Sequence, residues 1–476
     1  MPRTSQYANP VVVTAATTTT VFGYSASNPT FTGALTGSGT IYVKSDRGTL
    51  GNLMINGDIS GFTGTLSFDN SGNGVNFQYK GTTAASRDGS QAHFVTSGAT
   101  SGGPGAWLFF VGAGNTFKMG DLAGTGGYII GVGVGMTFEI GALNTDTTYA
   151  GAIRQDAADA VIVAKVGSGT LTLSGANSYT GATTVSNGIL AVSNTTGSGT
   201  GSGAVTVKTT ATLAGTGSIS GSVSVEAGGF VAPGSAGTGT LTVGATTLSG
   251  TYQCQLDGAS ADRLSVTGNL ALGGATLALS PLTTPSALGY VIASYTGTLS
   301  GSFASVTGMP AGYELQYDAT AKQIKLVQFG YAAWTLGTFA QPFTDTATAS
   351  DPDNDGLSNL MEYAFGIDPT VSSPGLIAYT GAVVNAHGRP TTLAENGRYY
   401  AVFGRRTDHV AAGLTYTVQF SATMAEGEWT DGSATPTQIA SDGVIDVMKV
   451  PYQNLIITPR GAEKPTFFRM KVTQNP

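Results

Sequence analysis

The sequence has little cysteine, little charge and little histidine. Cys254 is the one cysteine in 476 residues, which excludes an intramolecular disulfide framework and any cysteine-rich metal site. Charged residues make up 10% of the chain, and 21 basic against 28 acidic residues leave a formal net charge of −7. Neutralising phosphates needs a basic field, so nucleic-acid binding is excluded. Of the three histidines, His93 is far in sequence from His387 and His409. No apolar run is long enough for a membrane-spanning helix. The opening, MPRTSQYANP, lacks the apolar stretch of a secretory leader. Global disorder is also excluded, because low charge here accompanies 41% hydrophobic residues.

Glycine, by contrast, is abundant: 70 residues, about twice its usual share. The emptiest stretch in charge is 166–250, where only Lys208 and Glu226 are ionisable at neutral pH. There the chain repeats itself: GTLTLSG (Gly169–Gly175), GILAVSN (Gly188–Asn194), GAVTVKT (Gly203–Thr209), GSVSVEA (Gly221–Ala227) and GTLTVGA (Gly239–Ala245). Each unit alternates apolar and small polar residues, as a strand with one buried face does. A glycine opens each, where a left-handed backbone costs it little. Two shorter segments, TTVSN and ATLAG, fall between the units. Strands and corners at a nearly fixed period predict a β-solenoid, whose turns complete one another's core. The inward positions are Leu171, Leu173, Ile189 or Leu190, Val205, Val207, Val223, Val225, Leu241 and Val243. Threonine and serine take the outward ones. Residues 1–165 keep a looser version of the pattern, in GTIYVKS, GTLSFDN, VNFQY and YIIGVGVGMTFEIG. The glycines of the last segment imply close approach by another surface, or a bulge.

Gly169–Asn194 resembles the autotransporter-associated β-strand repeat of bacterial surface proteins, and Tyr252–Ser280 resembles the closing section of such passengers. The resemblance implies a right-handed parallel β-helix on an extracellular or cell-surface protein whose leader has been removed. No run of amphipathic outer-membrane strands ends the sequence, so the resemblance implies a secretion route other than autotransport.

One motif is sharp. Asp351–Glu362 reads DPDNDGLSNLME. Asp351, Asp353 and Asp355 fall at loop positions 1, 3 and 5, Gly356 at 6, the Leu357 carbonyl at 7, Asn359 at 9 and Glu362 at 12. This is the oxygen-ligand spacing of a Ca²⁺ loop, in which the final Glu binds with both oxygens. The segment resembles dockerin and thrombospondin type 3 calcium loops. NLMEYAF predicts a short helix ended by Gly366, while Pro342 and neighbouring threonines argue against a helix entering the loop. Beyond it, Arg398–Arg406, Leu414–Ala422, Gly443–Val450 and Thr466–Val472 predict a small antiparallel β-sandwich with Tyr416 and Trp429 in its core.

The expected fold is therefore all-β: solenoid turns over 1–165 and 166–330, a junction with the calcium loop over 331–375, and a β-sandwich over 376–476. The candidates for catalysis are weak. Arg154, Asp156 and Asp159 read as a polar corner, Asp408–His409 lacks a nucleophile elbow, and Cys254 has no cation beside it to make a thiolate. The leading expectation is a non-catalytic structural protein whose partners are copies of itself, joined head to tail. The charge-free segment Val11–Phe22 is a candidate strand donor. The alternatives are an adhesin binding glycans or host matrix through 376–476, and then a β-helix enzyme acting on polysaccharide.

Overall fold

The computed structural model describes residues 6–23, 30–45, 54–70, 76–79, 83–98, 107–156, 159–338, 347–372, 374–452, 456–458, 461–463 and 467–474. Two compact units emerge: Met1–Pro310 with Leu315–Leu326, and Ala311–Glu314 with Val327–Pro476. Strands dominate both. The described residues include two α-helices, Gly330–Thr338 and Asn359–Phe365.

The first unit is a parallel β-solenoid. In one ladder Thr170–Leu173 pairs with Ile189–Val192, which pairs with Thr212–Gly215 and then Phe230–Pro233. In a second, Thr183–Val185, Val205–Val207, Val223–Val225 and Thr246–Leu248 follow one another. A third begins at Thr240–Val243 and passes to Arg263–Val266 and Gly289–Tyr295. The five repeated heptapeptides therefore do not form one column. GTLTLSG and GILAVSN are neighbours in the first ladder, GAVTVKT and GSVSVEA in the second, and GTLTVGA belongs to the third. The short segments TTVSN and ATLAG are full members of these ladders. Alternation fixes which side chains point inward, but not which side of the turn a strand occupies.

The inward columns are as expected. Leu171, Leu190, Leu213 and Val231 stack in register, as do Val185, Val207, Val225 and Leu248, all buried. Leu190, not Ile189, is the inward residue. In the N-terminal turns the filling is aromatic: Tyr79, Phe110, Phe117 and Phe138 pack with ring centroids 5.0–5.7 Å apart. Two buried charged groups are matched to backbone. The Lys165 ammonium donates to the carbonyls of Val166, Gly167 and Asn187 at 2.7, 2.9 and 3.2 Å. The Asp262 carboxylate accepts from Gly239 and Gln255 N–H at 2.8 and 2.9 Å.

The glycines that open the repeats answer to clearance rather than to backbone freedom. Of the five, Gly188 alone has a positive φ. Gly181, Gly203, Gly221 and Gly244 line one corner. A Cβ on Gly203, Gly221 or Gly244 would overlap the carbonyl oxygen of the preceding glycine in that column. Elsewhere the freedom is used. YIIGVGVGMTFEIG is not one strand but two, Tyr128–Val132 and Met136–Ile140, joined at a corner where Gly133 and Gly135 have φ of 122° and 75°. Val11–Phe22 likewise divides into Val11–Val13 and Thr18–Gly23. Both pair in parallel with the next turn of their own chain, at Leu35–Gly37 and Thr40–Ser45.

The second unit contains a four-stranded antiparallel sheet, ordered Thr391–Glu395, Arg398–Arg406, Ile445–Pro451, Thr437–Ser441, and a three-stranded one, ordered Thr430–Asp431, Leu414–Ser421, Phe467–Gln474. Ala401, Phe403, Met448 and Val450 of the first pack on Val418, Phe420 and Met470 of the second. This is the sandwich core. The opposite face of the larger sheet buries Val402, Ile445 and Val447 against Ile377, Tyr379 and Val384. Tyr416 packs against the core and its hydroxyl donates to the Ala364 carbonyl at 2.6 Å. Trp429 does not join the core. It is half-buried, with the Arg469 guanidinium 4.5 Å from its ring centroid, and Arg469 lies on the strand face opposite to core residues Phe468 and Met470.

Candidate metal centre

The loop folds because its aspartates cap its own backbone. Asp351 Oδ1 and Oδ2 accept from Asp355 and Gly356 N–H at 3.1 and 2.9 Å. Asp353 Oδ1 accepts from Asp355 N–H at 3.2 Å, and Asp355 Oδ1 from Leu357 N–H at 2.7 Å. Asn354 and Gly356 take left-handed conformations, with φ of 59° and 88°. Carboxylate oxygens of Asp351, Asp353 and Asp355 are thereby drawn within 4.8 Å of one another. The three could hold a metal ion.

The helix Asn359–Phe365 follows directly and ends at Gly366, whose φ is 70°. Its first residue ties the loop shut: Asn359 N–H donates to the Ser350 carbonyl at 2.7 Å and its amide to the Ala347 carbonyl at 3.1 Å. Residues 347–350 are not helical, and 339–346, with Pro342, lie outside the described residues. One turn on, Glu362 is 0% exposed, and neither carboxylate oxygen has a hydrogen-bond partner. Burial, then the charges of Asp353, Asp355 and Asp351, push its pKa up to about 8. Asp353 is raised too, first by desolvation, and its Oδ2 is buried without a hydrogen-bond partner. Glu362 is not among the carboxylates that converge within 4.8 Å, but a cation held by the three aspartates would offset the charges that raise it and satisfy the buried Asp353 oxygen. Leu357 turns its side chain against the sandwich core.

Arg389, 34 residues beyond Asp355, carried no signal in the sequence. Its guanidinium pairs with Asp355 Oδ2 at 3.1 Å and donates to the Asp355 carbonyl at 2.5 Å. Its backbone bonds Gly375 and Ile377 across a bridge to Leu376. His387 was equally silent: its ring bridges the Gly366 carbonyl (2.9 Å) and Asp442 (2.6 Å).

The other sequence candidates do structural work. Asp159 accepts from Gly133 N–H at 2.7 Å, Asp156 N–H donates to the Gly131 carbonyl at 3.0 Å, and Arg154 lies 3.8 Å over the Tyr128 ring. Asp408 pairs with Arg406 at 2.8 Å, and His409 Nδ1 meets the Arg406 carbonyl at 3.0 Å. Cys254 is buried, and desolvation pushes its thiol up to about 12. His93, in the solenoid, pairs with buried Asp121 on the next turn at 2.7 Å.

Residues 163–192 match the passenger-associated-transport-repeat family. The match runs from within strand Val161–Lys165 to the end of Ile189–Val192, covering paired strands of both main ladders. The chain thus carries a passenger-type repeat on a parallel β-solenoid. A search of curated proteins finds no match. Among the described residues, no helix is long and apolar enough to cross a membrane.

Proposed function

We propose that this is a non-catalytic, extracellular or cell-surface structural protein that assembles head to tail, copy on copy, into a filament or surface layer. The passenger-type repeat on a solenoid whose regular turns, over 166–250, are nearly charge-free carries this reading. At the ladder ends, Val11–Val13 and Thr18–Gly23, and Leu299–Ser302 and Ser305–Thr307, pair on one side only among the described residues. Such edges accept a further strand, and a contact that does not close on itself grows as a fibre. Electron microscopy of the purified protein with calcium, beside a chain lacking residues 1–22, tests it. Filaments from the full chain and none from the shortened one are expected. Monodisperse monomers from both at high concentration would sink it.

In this reading the loop holds Ca²⁺ through Asp351, Asp353, Asp355, the Leu357 carbonyl, Asn359 and Glu362. Many hard oxygen ligands with no enforced octahedron favour Ca²⁺ over Mg²⁺. EDTA is expected to lower the melting temperature of the C-terminal unit, and Asp355→Ala to abolish that response. An unchanged melting curve in EDTA counts against the ion.

One observation favours a second reading, glycan adhesion by residues 376–476. Trp429 stands outside the core beside a hydrogen-bonded row in which Arg469 donates to Gln419 and Gln419 to Asp431, each at 2.7 Å. A ring beside planar polar groups suits a sugar. Binding to a glycan array that is lost in Trp429→Ala would support it.

A further inference from the structure

The seven-residue helix Asn359–Phe365 serves two masters. Tyr363, Ala364 and Phe365 are each 0% exposed. Phe365 enters the sandwich core, while Tyr363 and Ala364 pack with Leu414, Tyr331 and Trp334, the Trp334 ring lying 5.5 Å from that of Tyr363. Glu362 is the residue immediately before them. A rigid helix cannot seat Tyr363 and Phe365 without also burying Glu362 beside the three aspartates. So short a helix is not stable by itself and needs its packing. Yet that packing leaves both Glu362 oxygens buried and without hydrogen-bond partners. Arg389, the cation the loop does possess, reaches Asp355. A buried polar group with no partner costs as much as several good contacts gain, whether or not it carries charge.

Resting on the metal reading above, we infer that cation capture and closure of the C-terminal core are a single folding step: the unit built on Val327–Pro476 stays open until a hard divalent cation satisfies Glu362. The solenoid needs no such ion. Where free calcium is scarce the C-terminal unit is extended and cleavable, and it closes on reaching a calcium-rich medium.

The full chain is digested with a low dose of protease in EDTA and in excess Ca²⁺, with cleavage sites mapped by mass spectrometry. Terbium luminescence reports cation binding independently. At a free Ca²⁺ concentration about 100 times the Kd, cleavage within 327–476 is expected to slow about 100-fold, with cleavage of the solenoid unchanged. Glu362→Gln removes the buried charge and with it the repulsion from the aspartates. It is expected to resist protease in EDTA as well as the wild type does in Ca²⁺, and to lose the calcium response. Asp353→Asn weakens the site but keeps Glu362, and is expected to remain open in EDTA. Terbium binding with equal wild-type resistance in both media overturns the inference and leaves the metal site standing. So does Glu362→Gln opening in EDTA. Absence of terbium binding removes the metal reading, and the inference with it.

Discussion

The solenoid and the C-terminal unit treat their buried carboxylates differently: Asp121 and Asp262 accept hydrogen bonds, and both oxygens of Glu362 are left without one among the described residues. In the regular turns of the solenoid each strand meets a near copy of itself, so aliphatic columns continue, and Lys165 and Asp262 find backbone partners on neighbouring turns or corners. In the C-terminal unit the core is assembled from strands far apart in sequence, and the packing of Phe365 forces Glu362 into a place where no hydrogen-bond partner among the described residues answers it. Repetition stabilises without specific chemistry; a non-repeating core can make its own closure conditional on a ligand.

The comparison breaks most violently at Leu213, which is 0% exposed between Leu190 and Val231. Leu213→Asp buries an unpaired charge and is expected to cost more than about 4 kcal/mol. Denaturant titration followed by circular dichroism would show loss of the solenoid transition while the calcium-dependent transition of the C-terminal unit persists. A steric test is milder. Gly221→Ala drives a methyl into the Gly203 carbonyl and is expected to cost about 1–3 kcal/mol. Gly356→Ala meets no atom within 4 Å and bears only the left-handed backbone, about 1–2 kcal/mol. A Gly221→Ala variant that melts like the wild type would remove the clearance argument.

A pH experiment is subtler. Burial lowers the Lys165 pKa from 10.5 to about 8. Between those values the unfolded chain binds the proton more tightly than the folded one, so wild-type stability gains as pH rises from about 8 to 10.5. Lys165→Met lacks this gain. The melting temperature of the wild type is expected to rise by a few degrees relative to that of Lys165→Met across the window, and a constant difference refutes the assignment. Smallest is the behaviour of Cys254: with its thiol pushed up to about 12, the native protein should resist thiol reagents at neutral pH and react only once unfolded.

The solenoid was legible because its signal is local. Two-residue alternation and a corner glycine suffice to place Leu171 or Val205 inward. The ladder each strand joins was not legible, because GTLTLSG and GAVTVKT carry the same pattern and differ only in which side of the turn they follow. The three-aspartate turn was readable for the same reason of locality: Asp351, Asp353 and Asp355 alternate over five residues and cap the same turn of backbone. Arg389 and His387 lie in the connection between strands Val383–Ala386 and Thr391–Glu395, 34 and 21 residues from Asp355 and Gly366, which they meet, and left no trace. Trp429 was misplaced because its neighbours, Thr430 and Asp431, form a two-residue strand too short to declare a face.

The corner column has a consequence for how such a molecule changes over generations. Its members, Gly181, Gly203, Gly221 and Gly244, are 22, 18 and 23 residues apart, so the contour between them can vary while the cross-section does not. A whole turn can be duplicated or deleted between two of these glycines, and the protein lengthens or shortens in steps of about 4.8 Å with its ends unaltered.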